Sequence, residues 1–306
     1  MRHVLAPRRA HLRARRARPL ALVAGLVLLL AGCDLRLLVP DGPAPLRYRD
    51  EIFTTVDVTR DVPYGSAVDQ NGQQVTLLLD VYEPAGDTVD ARPAIVWVHG
   101  GGFSQGSKTS PELVEQANLF ARKGYLNVSI TYRLWPGGCF PVTAQCVQAI
   151  VDAKHDAQAA VRYLRAHAAE LGVDPDRIAI AGTSAGAITA LNVAYGSDDV
   201  GDSGNPGYPS TVRGAVSLSG AALTTSPDPG EPGAPKALLF HGTADPIVPY
   251  QWAVDDVNAA KAAGLEVFLT TWEGAGHVPY VAHRDEIHTH TSNFLYWTLD
   301  AHNAAR

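Results

Sequence analysis

Arg177-Ile178-Ala179-Ile180-Ala181-Gly182-Thr183-Ser184-Ala185-Gly186 is the stretch on which the fold turns. Residues 178–181 are a short, unbroken apolar run, the pattern of a strand buried on both faces. Residues 185–194 are small and apolar enough for a closely packed helix. Between them the chain must pass from strand to helix through Gly182-Thr183-Ser184-Ala185-Gly186, and the two glycines remove Cβ atoms where such a bend would clash. The GxSxG string is a weak signal alone, because Gly and Ser are common. Set between a strand and a helix, it predicts a sharp elbow that exposes Ser184 at a sheet edge. The competing reading is a Gly-rich turn with an ordinary serine.

Working outward, apolar strands and helices alternate. Segments 52–59 and 75–82 have strand composition and flank Asn71-Gly72, which predicts an opening antiparallel hairpin. Further strands are predicted at 94–98, 126–131, 177–181, 212–218, 237–240 and 266–272, with helices at 112–123, 147–170, 185–194, 251–263 and 281–301. Strands apolar throughout and separated by helices predict an α/β fold with a mostly parallel central sheet covered on both faces. The 306 residues are 46% hydrophobic and 18% charged, a globular composition. One large domain over 52–306 accounts for them.

The formal charge of −6 hides an asymmetry, since residues 1–32 hold seven arginines and no acid. The remainder has 18 basic against 31 acidic residues, a balance of −13 that repels phosphate backbones and argues against nucleic-acid binding. The arginine-rich start, the apolar run 20–30 and Leu30-Ala31-Gly32-Cys33 read as an export signal, too short for a comfortable membrane span. The last four residues resemble the bacterial lipobox, which implies cleavage after 32, lipidation of Cys33 and a membrane-anchored lipoprotein of the cell envelope. Arg8-Arg9 and Arg15-Arg16 leave both the general and the twin-arginine export routes open. Residues 33–51, with Pro40, Pro43 and Pro45, then read as a lipidated end and tether. In an oxidising compartment the two remaining cysteines, Cys139 and Cys146, are expected to pair; six intervening residues are too many for CxxC chemistry.

An exposed serine becomes a nucleophile only when a neighbouring base takes its proton, and the oxyanion that follows needs fixed donors. His99-Gly100-Gly101-Gly102-Phe103 follows the strand 94–98, so its unshielded amides can face the same edge as Ser184. Gly101, Gly102 and Ala185 are the candidate donors. A phosphate cradle is the other use of such glycines, but the lysine and spacing of a P-loop are missing. The candidate base is His277 in Gly274-Ala275-Gly276-His277, after the strand 266–272. The candidate acid is Asp245 in His241-Gly242-Thr243-Ala244-Asp245, just past the strand 237–240. His283, His288, His290 and His302 fall in or beside the last predicted helix. Asp199, Asp202 and Asp228 lie in Pro/Gly-rich loops that no strand aims.

These stretches resemble the α/β-hydrolase superfamily, and within it the hormone-sensitive-lipase-like carboxylesterases. The resemblance rests on HGGGF at 99–103, Tyr132-Arg133-Leu134 with Pro136, Phe140-Pro141, Asp156 with Ala159-Ala160, Asp176-Arg177-Ile178, GTSAG at 182–186 and HGTAD at 241–245. The order Ser184, Asp245, His277 matches that superfamily. The chain departs from the family at Thr183, where Asp is usual, at the insertion Gly137-Gly138-Cys139, and in having no long helical cap before HGGGF. Type B carboxylesterases are similar at HGGGF and at Gly106-Ser107 but are longer. The resemblance implies Ser-His-Asp ester hydrolysis without metal or cofactor. A serine peptidase of the prolyl-oligopeptidase type is the first alternative, although only about 60 residues precede HGGGF after the lipobox where such enzymes carry a large gating domain. A non-catalytic binding module on the same fold is the second. Segments 196–211 and 221–235 are polar and irregular, so they are expected to rim the site without forming a continuous apolar groove, with Trp135 and Phe140 as an apolar wall on one side. That favours short-chain or small aromatic acyl esters.

Overall fold

The computed structural model describes residues 39–139, 142–225 and 234–304. The export segment, Cys33, Phe140, Pro141 and Asp228 lie outside the described residues. Eight strands form one sheet in the order β1-β2-β4-β3-β5-β6-β7-β8: β1 Val56–Val68, β2 Gln74–Pro84, β3 Arg92–Val98, β4 Leu126–Ile130, β5 Val173–Thr183, β6 Gly214–Leu218, β7 Lys236–Gly242 and β8 Val267–Trp272. β1 and β2 form the antiparallel hairpin, and β2 is antiparallel to β4; the other neighbours are parallel. Asp69 closes the hairpin turn by accepting the amides of Asn71 and Gln73 at 2.8 Å each.

Alternation along β3 shows why both faces are covered. Ala94, Val96 and Val98 point into one apolar cluster with residues of α2 (Ala144–Ala166), α4 (Ala185–Tyr195) and α5 (Tyr250–Ala262). Ile95 and Trp97 point into the other, with α1 (Pro111–Arg122) and α6 (Arg284–Thr298). Two four-residue helices, α3 Ala168–Leu171 and α7 Ala301–Ala304, complete the described elements. α4 is buried over its whole length, which only its small apolar composition permits. Thr143 sets the start of α2 by accepting the Cys146 amide at 3.2 Å, three residues earlier than the apolar pattern predicts.

The expected tether needs correction at its carboxyl end. Tyr48 is fully buried, its amide donates to Lys123 O at 2.7 Å, and Arg47 pairs with Asp87. Ile52 and Phe53 both donate to Arg122 O at 2.9 Å, so these residues are tied to α1 and β1 begins only at Val56. The packed body therefore starts near Leu46 rather than at residue 52.

Register places the site. Val98 lies opposite Gly182, Thr183 opposite Leu218, Leu218 opposite Phe240 and Gly242 opposite Trp272. The loops leaving β3, β5, β6, β7 and β8 thus emerge side by side along one edge of the sheet, the usual location of ligand sites in open α/β sheets.

Candidate active site

Ser184 occupies the elbow between β5 and α4 with φ 54° and ψ −116°, a strained conformation for a residue with a side chain. Close packing enforces it. A Cβ on Gly186 would collide with the Val98 carbonyl, and one on Gly182 with the Gly186 carbonyl. The Ser184 amide donates to Leu218 O at 2.8 Å, which pins the elbow to β6.

His277, in the loop between β8 and α6, puts Nε2 2.8 Å from Ser184 Oγ and Nδ1 2.7 Å from Asp245 Oδ2. A carboxylate can only accept, so Nδ1 carries the imidazole proton and Nε2 is left to accept from the serine hydroxyl. The Asp245 side chain is fully buried, yet each oxygen is satisfied. Oδ1 accepts the amides of Ile247 and Val248 at 2.8 and 3.0 Å. Oδ2 also lies 3.2 Å from Nε2 of His241, a ring that shares its proton with Val248 O at 2.9 Å. Burial lowers the pKa of His241, outweighing the opposing pull of Val248 O and Asp245. His241 belongs to the quoted HGTAD string, but its contact with Asp245 depends on the turn after β7, which sequence spacing did not reveal.

Gly101 and Gly102 follow β3 with φ 114° and 60°. Among the described residues their amides donate to no backbone carbonyl, and the Ala185 amide begins α4, where no helical acceptor exists. A Cβ on Gly101 would strike the Gln105 carbonyl. His99 braces this loop from beneath: its Nδ1 donates to Gly100 O at 2.6 Å and its ring stacks on Tyr132 at 4.3 Å. Burial pushes the His99 pKa down to about 4, so the ring is uncharged at neutral pH. Tyr132 in turn donates to His99 O at 3.0 Å.

Ser184, His277 and the glycine loop open onto a cavity of about 840 Å³. Its walls include Phe103, Ile150, Ile188, Leu223, Ile247 and Trp252; Glu112 is the one carboxylate among the described lining residues. This corrects the expectation of a site with no continuous apolar groove and a single apolar wall from Trp135 and Phe140. The apolar surface comes from α2, α4 and the start of α5, joined by Phe103, Leu223 and Ile247 from loops at the same sheet edge, and these are close to the serine only in the folded chain. Segment 196–211 lines none of it, because Arg162, Arg165 and Lys154 hold that segment through Val200 O, Thr211 O and Asp199 at 3.0, 2.7 and 2.8 Å. Trp135 packs against the core and is not a cavity wall. Cys139 and Cys146 form a disulfide at the cavity margin, with Cα atoms 4.9 Å apart.

The competing side chains are engaged elsewhere. His283 stacks on Trp272 at 4.1 Å, His288 meets Tyr280 Oη at 2.8 Å and His290 meets Thr270 Oγ1 at 3.2 Å. His302 sits near Trp297, with ring centres 5.7 Å apart. Asp199 pairs with Lys154 and Asp202 with Arg133, at 2.8 and 2.9 Å.

Comparison with known proteins agrees with this architecture. The BD-FAE family model matches residues 79–213, and the model described as TAP-like protein matches 219–300. Carboxylesterase NlhH of Mycobacterium tuberculosis is 38% identical over 112 residues, 37% of this chain and 32% of that protein. Lipase 1 of Geotrichum candidum is 35% identical over 134 residues, 40% of this chain and 23% of the lipase. The chain thus matches about a quarter to a third of the length of these curated relatives. A thermophilic esterase from the planctomycete Thermogutta terrifontis superposes with a TM-score of 0.64 at 27% identity, covering 83% of this chain and 95% of the esterase. The same esterase with propionate bound gives 0.59 at 28% identity, over 84% and 95%. With its sheet order, its serine elbow and these relatives taken together, the chain has the α/β-hydrolase fold and is similar to carboxylesterases built on it.

Proposed function

We propose that the protein is a serine carboxylic ester hydrolase in which Ser184 is the nucleophile, His277 the general base and acid, and Asp245 the group that orients and charges against the imidazole. The observation that carries this reading is the continuous relay Ser184 Oγ to His277 Nε2 and His277 Nδ1 to Asp245 Oδ2, at 2.8 and 2.7 Å. As Ser184 Oγ attacks the ester carbonyl, its proton passes to His277 and the imidazolium is stabilised by Asp245. The amides of Gly101, Gly102 and Ala185 receive the oxyanion. Collapse of the tetrahedral intermediate breaks the bond to the alcohol, which leaves with the proton from His277. Water, deprotonated by the same ring, then releases the acid. A non-catalytic role on this fold would not need the relay, the free amides and the cavity together.

The acyl group we assign is short-chain or small aromatic. The Thermogutta esterase, similar over most of this chain, has been obtained with propionate and with butyrate bound. A cavity of about 840 Å³ then leaves room for a sizeable apolar alcohol portion. One set of measurements tests both levels. A fluorophosphonate probe should label the wild type and not Ser184→Ala, with ester turnover abolished in the variant. Nitrophenyl butyrate should exceed the palmitate ester in kcat/KM by at least roughly tenfold, about 1.4 kcal/mol in transition-state binding. Labelling of Ser184→Ala would remove the nucleophile assignment, and equal rates on palmitate would remove the acyl preference.

The export reading remains a proposal of the sequence alone: Cys33 is lipidated and holds the protein at a membrane of the cell envelope. Fractionation tests it, since Cys33→Ser should release the protein from membranes, and an already soluble, processed wild type would contradict the anchor.

A further inference from the structure

Unusual backbone gathers around the relay. Of the eight non-glycine residues with positive φ among those described, Ser184, Ser219 and Val278 lie here, with φ of 54°, 59° and 49°, the left-handed region that side chains rarely adopt. Val278 is the most strained of the three, because branching at Cβ makes that region costly, and it directly follows His277. It belongs to neither β8 nor α6, so no regular element holds its amide. That amide donates instead to Ser219 Oγ at 3.0 Å. Ser219 is fully buried at the end of β6, and its own amide donates to Phe240 O at 2.9 Å. The residue before it, Leu218, accepts the Ser184 amide at 2.8 Å. Leu218, the last residue of β6, and Ser219 directly after it therefore hold the nucleophile's peptide and the peptide after the base.

We propose that Ser219 is a positioning residue, whose hydroxyl holds Val278 in its left-handed backbone and thereby keeps His277 within reach of Ser184. The inference rests on the roles given to Ser184 and His277 above. The hydroxyl touches neither substrate nor the reacting atoms; it acts through the loop that carries the imidazole. Glycine at 278 would take the same backbone without help, so the demand for the Ser219 acceptor exists because residue 278 has a branched side chain. The same bond also seats the Val278 side chain, which lines the cavity.

The test uses the full chain and two readouts that both need a placed imidazole: turnover of nitrophenyl acetate and the rate of inactivation by paraoxon. In Ser219→Ala, kcat and the inactivation rate should each fall at least about tenfold with KM within about twofold, since misplacement of a base affects the chemical step more than binding. Adding Val278→Gly to Ser219→Ala should recover a substantial part of both rates, with Val278→Gly alone measured as the reference. If Ser219→Ala does not fold, Ser219→Cys carries the test, because sulfur is a weaker acceptor of nearly the same shape; intermediate rates support the proposal and wild-type rates overturn it. Wild-type rates in Ser219→Ala, or a double variant no faster than Ser219→Ala, also overturn it. A wild type that reacts with neither ester nor paraoxon overturns the ester-hydrolase reading itself and is distinguishable from those results.

Discussion

Acidification should act on this fold through buried His99 and half-buried Asp256, which have opposite signs, and Asp256→Asn separates them. Burial lowers the His99 pKa from 6.5 to about 4. Between those values the unfolded chain takes a proton that the folded chain refuses, so this contribution is present above pH 6.5 and is lost as pH falls toward 4. The full difference corresponds to about 3 kcal/mol, at 1.36 kcal/mol per unit. Asp256 on α5 behaves in reverse, because burial raises its carboxyl from 3.8 to about 6. Here the folded chain takes the proton first, and stability is gained as pH falls from 6 toward 3.8, by about 2 kcal/mol at pH 4.5. In the wild type the two changes nearly offset each other. Asp256→Asn keeps an oxygen to accept the Ala222 amide, which Asp256 now accepts at 2.6 Å, but it removes the titration. Urea unfolding at pH 7 and pH 4.5 should therefore show the variant losing about 2 kcal/mol more than the wild type over that interval. Groups that do not feel residue 256 contribute equally in both proteins and cancel in the comparison. Equal losses in the two would refute the burial argument for Asp256.

Three further outcomes follow from the site. Asp245→Asn should lose turnover on the order of 10⁴-fold, because an amide nitrogen facing His277 forces the proton onto Nε2, where it can no longer accept from Ser184; steady-state kinetics within tenfold of wild type would contradict the assignment. Gly186→Ala should destabilise by about 1 to 3 kcal/mol in denaturant melts, since the new Cβ meets backbone carbonyls of Val98 and His99 that cannot rotate away. Thiol titration of unreduced, denatured protein should find neither Cys139 nor Cys146 free, and their reduction should cost at most about 2 to 3 kcal/mol, the entropy of a short ring; two reactive thiols would rule the bond out.

From its residues alone this chain determines the alternation of strands and helices, the elbow at Ser184 and the two loops that bring Asp245 and His277 to the same sheet edge. Those features are local. Apolar runs encode strands buried on both faces, glycines at 182 and 186 encode a bend that tolerates no Cβ, and a loop leaving a predicted strand already has its edge of the sheet assigned. What depends on contacts across long separations was decided only by the tertiary structure. The apolar cavity leaves no sequence signal because Ile150, Ile188 and Trp252 sit on three different helices, each amphipathic or buried in its own pattern, and share a surface only after packing. The polar segment 196–211 stays off the site for the converse reason: Arg162 and Arg165 on α2 draw it away through bonds to its carbonyls, and such partners leave no periodic signal. Tyr48 likewise anchors what composition presented as a spacer. The supporting contacts of the relay, His241 on Asp245 and Ser219 on Val278, depend on turn geometry and on backbone in the left-handed region, which arises where neighbouring strands leave the chain no other path.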